Sequence, residues 1–187
     1  MQEQIKKIVD CLKKGETILF PTDTIWGIGC DATNAKAVSK VFDIKKRPEN
    51  KSMILLIDTI EHLSEYVKSI PENLETFLLA ANKPTTVIYQ YKNGLPKSLI
   101  ADDNTIAFRI CLDNFCLNLI KEFGYPIVAT SANFSGEKTP TCFDDISSEI
   151  KNKVDYIVDY KRSDILAISS KIIMLEEDNK EIKVIRE

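Results

Sequence analysis

The sequence predicts an α/β domain in which helices and strands alternate along the chain and the strands form a mixed sheet. The 187 residues slightly exceed the roughly 150 of an average domain. The content of 44% hydrophobic and 28% charged residues is that of an ordinary globular protein. Segments with helical apolar spacing alternate with short apolar segments typical of buried strands. We therefore expect one domain over residues 1–187, in two or three layers, and neither a helix bundle nor a β-sandwich.

The elements follow from apolar spacing and from the residues that end each segment. Apolar residues at i, i+3, i+4 and i+7 predict a first helix, and Gly15 suits its end. Asn34 and Asp113 are typical N-caps, and Pro71 separates two helices because proline disrupts a helix interior. We expect helices over 2–14, 34–46, two within 60–82, 113–123 and 144–152, and strands over 17–20, 53–57, 85–91, 105–112, 126–130, 156–158, 171–175 and 182–185.

The composition excludes several classes of function. The net charge of −3 argues against a protein that coats nucleic acid through bulk basicity. The longest apolar runs, 53–57 and 77–81, are far shorter than the roughly 18 residues of a membrane helix. Residues 1–4 lead directly into an amphipathic pattern and not into the apolar region of a signal sequence, so we expect a cytoplasmic protein. With one histidine and five cysteines that lack C-x-x-C spacing, neither a zinc site nor a Ser-His-Asp triad is expected.

Small polar residues follow two of the predicted strands. Thr22, Asp23 and Thr24 follow the strand over 17–20 within a segment, 21–29, that we interpret as a functional loop. Ser131 and Asn133 follow the strand over 126–130, and their alternate spacing lets them face one side of an extended chain. Ligands of α/β proteins commonly bind beyond strand ends, although a hydroxyl-rich turn has the same pattern. Asp23 is a general base or the former of an Asx-turn.

Cationic residues supply the other candidates. Lys45, Arg47 and Lys51 lie within seven residues at a helix end, where they could converge on an anion or form a solvated basic terminus. Arg109 lies among apolar residues of a strand and needs an acidic partner, either an internal carboxylate or a bound acid. Trp26 is a candidate apolar wall of a pocket. The sequence has neither the G-x-x-x-x-G-K-[ST] nor the G-x-G-x-x-G pattern of common nucleotide sites.

Four segments together resemble the YrdC-like family of L-threonylcarbamoyladenylate synthases. They are FPTDTIWGIGCDA (20–32), IKKRP (44–48), AFRI (107–110) and TSANFSG (130–136), and their order and spacing match from about residue 15 onwards. The resemblance implies the short single-domain form, with an open twisted mixed β-sheet, helices and a deep cationic cleft. It implies a nucleotidyltransferase that makes threonylcarbamoyl-AMP and pyrophosphate from L-threonine, bicarbonate and ATP. The product would serve the N6-threonylcarbamoyladenosine modification of tRNA.

The resemblance also implies the site residues and the partners. Mg²⁺ would be bound through the ATP phosphates without a metal site of the protein, and tRNA and the tRNA threonylcarbamoyl transferase proteins would be transient partners. The chain departs from the family at Trp26, where tyrosine is usual, at 83–86 and at 170–171. The implied catalytic residues are Lys45, Arg47, Ser131 and Asn133, the threonine-binding residues are Thr24, Arg109, Ser131 and Ser170, and the ATP-binding residues are Arg47, Lys51, Thr105, Asn133, Thr141 and Arg186.

Two other functions fit the same residues. One is a module that binds RNA or a nucleotide without chemistry. The other is a carbamoyltransferase relative that handles carbamoyl-adenylate. Pyrophosphate release that requires both threonine and bicarbonate distinguishes the synthase from the module, and use of carbamoyl phosphate without threonine indicates the carbamoyltransferase.

Overall fold

Nine strands and six α-helices make up the computed structural model, which describes residues 1–48, 52–72, 74–175 and 182–187. Within these residues, no helix is both long and apolar enough to span a lipid bilayer. The helices are α1 (Gln2–Lys13), α2 (Ala35–Lys45), α3 (Ile60–Leu63), α4 (Leu74–Ala80), α5 (Asn114–Phe123) and α6 (Ser148–Lys153). The strands are β1 (Ile18–Pro21), β2 (Trp26–Gly29), β3 (Ile54–Ile57), β4 (Thr85–Gln90), β5 (Thr105–Ile110), β6 (Ile127–Ser131), β7 (Tyr156–Ile157), β8 (Lys171–Leu175) and β9 (Ile182–Arg186).

The strands pair in the order β7-β1-β2-β6-β3-β5-β4-β8-β9. Three of these pairs are parallel, namely β1 with β7, β3 with β5 and β4 with β8, and the other pairs are antiparallel. The α/β class and the mixed sheet expected from the sequence are therefore confirmed.

The residues predicted to bound the helices do so. The side chain of Asn34 accepts hydrogen bonds from two backbone N–H groups at the start of α2, and Asp113 does the same for α5. Gly124 ends α5 with φ of 84°, a left-handed conformation that glycine adopts without steric cost. The last predicted helix begins later than expected, at Ser148, because the hydroxyl of Ser147 accepts a hydrogen bond from Ile150 N and so forms the N-cap there.

The segment 21–29 is not a loop throughout, as we expected, but a tight hairpin. Pro21 pairs with Trp26 and Ile18 with Gly29, so only residues 22–25 form the turn. A Cβ on Gly29 would lie 2.5 Å from the carbonyl oxygen of Val128, which shows that this glycine permits close packing of strands. Glycine at a close approach and glycine in a turn look alike in a sequence, and this ambiguity explains the wrong prediction.

The two faces of the sheet are covered to different extents. On one face, residues such as Trp26, Phe108 and Val128 join a large core with side chains from α2, α3, α4 and α6. On the other face, α1 and α5 pack together over a smaller core that includes Phe20 and Leu56. The part of this second face that α1 and α5 leave uncovered, from β2 across to β9, lines a cavity.

Candidate functional site

The cavity has a volume of about 580 Å³, and alternate residues of several strands line it. Side chains at alternate positions of a strand point to the same face of a sheet. Five strands each contribute a residue on this face to the cavity lining, namely Gly27, Ile54, Ala107, Ala129 and Thr86. Three of these five are glycine or alanine. The open face of the sheet is therefore lined by small residues, and the volume that larger side chains would fill is left for a ligand.

Cationic side chains enter this cavity from four separate segments. Arg47 follows α2, Arg109 lies on β5, Arg186 lies on β9, and Lys138 belongs to the connection after β6. Among the described residues that line the cavity, none is aspartate or glutamate. Burial lowers the pKa of Arg47, and burial together with the charge of Arg109 lowers the pKa of Arg186. Arginine stays protonated under such shifts, so the cavity suits an anionic ligand.

Arg109 has an internal acidic partner and also lines the cavity. Its Nη2 lies 3.0 Å from Oδ1 of Asp23, and it donates a hydrogen bond of 3.2 Å to the hydroxyl of Thr24. The side chains of Arg109 and Asp23 are only 4% and 8% exposed. The internal carboxylate, one of the two alternatives offered by the sequence, is therefore present, and the same residue also lines the cavity.

The turn between β1 and β2 is closed by its own hydroxyls. The hydroxyl of Thr22 donates to the carbonyl oxygen of Ile25 and accepts from the backbone N–H groups of Thr24 and Ile25. The hydroxyls of Thr22 and Thr24 lie 2.9 Å apart. This network fixes Thr24, which lines the cavity, in contact with Arg109.

Ser131 lines the cavity at the end of β6, whereas Lys45 and Asn133 support the chain behind it. Lys45 Nζ donates to the backbone carbonyl oxygens of Ser131 and Asn133 at 2.5 and 2.7 Å, and the residue is 1% exposed. Burial, with a smaller effect of Arg47, lowers the Lys45 pKa to about 7. Asn133 Nδ2 donates to the carbonyl oxygens of Phe134 and Glu137. Lys45, an implied catalytic residue, is therefore bound to the backbone behind Ser131 and is not among the residues that line the cavity.

Ser170, Arg186 and Thr86 form a second polar group in the cavity. Arg186 donates to the carbonyl oxygen of Ser170 through Nε and Nη2, at 3.1 and 2.8 Å, and to its hydroxyl at 3.1 Å. That hydroxyl lies 2.9 Å from the hydroxyl of Thr86. The implied residues Ser170 and Arg186 are thus brought together, along with Thr86, which had not been singled out.

Thr141 lines the cavity from the connection between β6 and α6. Its backbone N–H and its hydroxyl both donate to Oδ2 of Asp145, at 3.1 and 2.8 Å. Lys138 enters from the same connection, and sequence reasoning missed it because a lysine in an irregular segment carries no pattern that predicts its direction.

Besides Lys45 and Asn133, three expected residues do not line the cavity or cannot be placed there. Thr105 donates its hydroxyl to Asp103 Oδ1 at 2.6 Å, away from the lining. Trp26 is fully buried on the opposite face of the sheet, with its ring 5.0 Å from that of Phe143, so the expected apolar pocket wall is wrong. The implied ATP-binding residue Lys51 lies outside the described residues.

The arrangement can bind carboxylate and phosphate groups, but the described residues offer no metal centre of their own. Among them, no group of three or more histidine, cysteine, aspartate or glutamate side chains could hold a metal ion. The hydroxyls of Thr24, Ser131 and Ser170 add hydrogen-bonding capacity beside the arginines. The lining therefore fits a ligand that carries both negative charge and polar hydrogens.

Comparison with known proteins agrees with this description. The family model Sua5_yciO_yrdC, described as "Telomere recombination", matches residues 10–187. The threonylcarbamoyl-AMP synthase of Pseudoalteromonas translucida is 37% identical over 162 residues, which cover 84% of this chain and 86% of that protein. A putative threonylcarbamoyl-AMP synthase of Methanocaldococcus jannaschii is 34% identical over 184 residues, with 95% and 84% coverage.

Solved structures show the same fold. The crystal structure of P. abyssi Sua5 complexed with L-threonine matches 97% of this chain with a TM-score of 0.87 and 28% identity. The present chain spans 53% of that protein. E. coli YciO matches the whole chain and 90% of its own length with a TM-score of 0.80, and at 24% identity this likeness concerns the fold alone. The matched family model and the two relatives show that this chain belongs to the Sua5/YciO/YrdC family.

Proposed function

We propose that this chain is an L-threonylcarbamoyladenylate synthase, which converts L-threonine, bicarbonate and ATP into threonylcarbamoyl-AMP and pyrophosphate. The observation that carries the proposal is one cavity that contains both a buried arginine suited to an amino-acid carboxylate and further cationic side chains suited to a triphosphate. Two of the relatives bear the name of this activity, and a similar structure was solved with L-threonine. These likenesses support the proposal.

Threonine binds with its carboxylate against Arg109. A guanidinium group offers a planar set of N–H donors that matches a carboxylate, and the contacts of Arg109 with described residues involve Nη2 alone. The hydroxyl groups of Thr24 and Ser170 face the same cavity and can pair with the amine and the β-hydroxyl of the amino acid. The low exposure of Arg109 strengthens its interaction with a bound anion.

ATP binds with its phosphates toward Arg47, Arg186 and Lys138. These three cations line the cavity, and Ser131 and Thr141 supply hydroxyl groups beside them. We further propose that Mg²⁺ enters with the nucleotide, held by phosphate oxygens, because the described lining contains no carboxylate. Bound in that way, Mg²⁺ would neutralise part of the negative charge of the phosphates.

Catalysis then depends on how the cavity positions the three reactants. The neutral amine of threonine forms an N–C bond to the carbon of dissolved carbon dioxide while one C–O π bond opens and an amine proton passes to solvent, which gives a carbamate. With bicarbonate the same N–C bond forms while the bond from carbon to the hydroxyl oxygen breaks, and that oxygen leaves as water with the amine proton. A carbamate oxygen forms a bond to the α-phosphorus while the bond from that phosphorus to the bridging oxygen of pyrophosphate breaks. Arg47 and Arg186 stabilise the charge that develops on the leaving group. Holding the reactants in one cavity removes much of the entropic barrier.

The product is a mixed anhydride that water hydrolyses, so we propose that it passes by transient contact to the transferase proteins that act on tRNA. We also propose that the reaction takes place in the cytoplasm, where ATP and tRNA are available.

The proposal is tested by pyrophosphate release from ATP with threonine and bicarbonate each omitted in turn, and by mass spectrometry of the product. The expected result is release that requires both co-substrates and a product with the mass of threonylcarbamoyl-AMP. Affinity for RNA or ATP without such release would instead indicate a binding module. Utilisation of carbamoyl phosphate with indifference to threonine would indicate the carbamoyltransferase relative.

A further inference from the structure

We propose that Asp23 is a positioning residue, which holds the Arg109 guanidinium in the orientation that receives a substrate carboxylate and so sets the preference for a free amino acid. This inference rests on the proposed function and adds a residue to it. Asp23 is not among the residues that line the cavity, so it acts through Arg109 and not by touching the ligand.

The first observation is that the pair is buried and incompletely hydrogen-bonded. Asp23 Oδ1 lies 3.0 Å from Arg109 Nη2, yet neither carboxylate oxygen has an aligned hydrogen-bond donor among the described residues. Within the same part of the chain, Arg109 Nε also has no partner. Buried polar groups normally satisfy their hydrogen bonds, and unsatisfied ones mark sites with a further task.

The second observation is a contrast with the ion pair between Lys161 and Asp113, which lies outside the cavity. Their charged atoms are 2.6 Å apart, and Asp113 also accepts hydrogen bonds from two backbone N–H groups of α5. The Asp113 carboxylate therefore both pairs with Lys161 and caps α5. Asp23 makes no such backbone contact within the described residues, so its charge is directed at Arg109.

The third observation concerns the charges around Arg109. Arg186 also lines the cavity, and burial together with the charge of Arg109 lowers its pKa. The two guanidinium groups carry like charges and repel each other. No acidic side chain of the described lining offsets this repulsion. Without Asp23, the Arg109 side chain would be driven away from Arg186 and would lose its orientation toward the ligand.

The test replaces Asp23 with asparagine, which keeps the shape and removes the charge. The readouts are the threonine KM, the ATP KM and kcat, together with inhibition by L-threoninol, in which CH₂OH replaces the carboxylate. We expect the threonine KM to rise about 10-fold or more, because the variant leaves the buried Arg109 guanidinium without its counter-ion. The ATP KM and threoninol inhibition should stay within about 2-fold of wild type, because neither depends on a carboxylate at Arg109.

Two controls separate positioning from folding. Asp113→Asn removes a carboxylate of a comparable ion pair and keeps a good N-cap, so it should leave the threonine KM unchanged. In an Arg109→Met background, Asp23→Asn should raise the threonine KM no further, because its effect passes through Arg109. If Asp23→Asn does not fold, Asp23→Glu keeps the charge but moves it by one methylene, and its threonine KM should still rise while kcat is retained.

An unchanged threonine KM in Asp23→Asn would overturn the inference, and so would equal increases in the threonine and ATP KM values. The same KM increase in Asp113→Asn would also overturn it. Failure of the proposed function is distinguishable from these results, because the wild-type chain would then make no threonylcarbamoyl-AMP. In that case, calorimetric binding of L-threonine and L-threoninol to wild type and Asp23→Asn still measures the carboxylate preference.

Discussion

Arg109 and Arg47 both reach the cavity, but the fold holds them in different ways. Arg109 lies within β5, is 4% exposed and is held by Asp23 and by the hydroxyl of Thr24. Arg47 is half-buried and follows the left-handed residue Lys46, which ends α2, and it donates to the carbonyl oxygen of Ser52. A strand and a counter-ion fix the first guanidinium, whereas backbone between elements fixes the second. The contrast teaches that the sheet preorganises Arg109 at the proposed carboxylate site, whereas Arg47 at the proposed phosphate site depends on a connecting segment.

The largest effect should come from Arg47→Ala. If Arg47 acts mainly on the charge that develops as pyrophosphate leaves, its loss should lower kcat for pyrophosphate release by about 100-fold to 1000-fold. The threonine KM should change little. Arg162→Ala, at a surface ion pair with Asp159, is a suitable control because Arg162 lies outside the cavity lining. Wild-type turnover by Arg47→Ala would remove this residue from the phosphate site.

Arg109→Ala should have the next largest effect, with the opposite kinetic pattern. If Arg109 holds the carboxylate of threonine in both ground and transition states, as proposed, its loss should raise the threonine KM by about 10-fold to 100-fold. The ATP KM should stay close to wild type. A rise in the ATP KM with an unchanged threonine KM would reverse the assignment of the two arginines.

Lys45→Met tests the support behind Ser131 through the pH dependence of stability. Burial lowers the folded-state pKa of Lys45 from 10.5 to about 7, so between these pH values the unfolded chain binds more protons than the folded chain. The free energy of unfolding of wild type should therefore rise with pH across that window, relative to the variant. Urea unfolding at several pH values measures this difference. Parallel pH profiles for wild type and Lys45→Met would contradict the burial of a titrating ammonium.

The smallest expected effect distinguishes two threonines, both of which the family resemblance assigned to ATP binding. Thr141 lines the cavity, whereas Thr105 is bonded to Asp103 away from it. Thr141→Ala should raise the ATP KM about 3-fold to 10-fold, as expected for one lost hydrogen bond. Thr105→Ala should leave the ATP KM unchanged. The reverse order would restore Thr105 to the ATP site and exclude Thr141.

The sequence predicted those parts of the fold that depend only on residues close together along the chain. The caps Asn34 and Asp113 act within three residues of themselves, so the sequence predicts the helix starts that they set. The sequence did not predict which face of the hairpin Trp26 occupies, because a four-residue turn and the register with β1 decide it. The sequence also did not predict the direction of the Lys45 side chain, because its hydrogen bonds go to backbone carbonyl groups more than eighty residues away along the chain.

For the site as well, the sequence predicted what neighbouring residues determine and missed what the pairing of distant strands determines. The apolar neighbours of Arg109 predicted an acidic partner without saying that one guanidinium would have an internal partner and also line the cavity. Ser170 and Arg186 came from family resemblance, and their contact arises only through the pairing of β8 with β9. Thr86 was missed because a threonine in a strand is ordinary, and only the pairing of β4 with β8 brings it to Ser170.

The central claim is that one cavity holds threonine at Arg109 and the nucleotide phosphates at Arg47. The most direct test is a crystal structure of this chain with L-threonine and a non-hydrolysable ATP analogue. We predict that the threonine carboxylate lies within hydrogen-bond distance of Arg109 and that the phosphates contact Arg47, Arg186 or both. A structure in which the amino acid binds away from Arg109, or in which the phosphates lie outside this cavity, would contradict the claim.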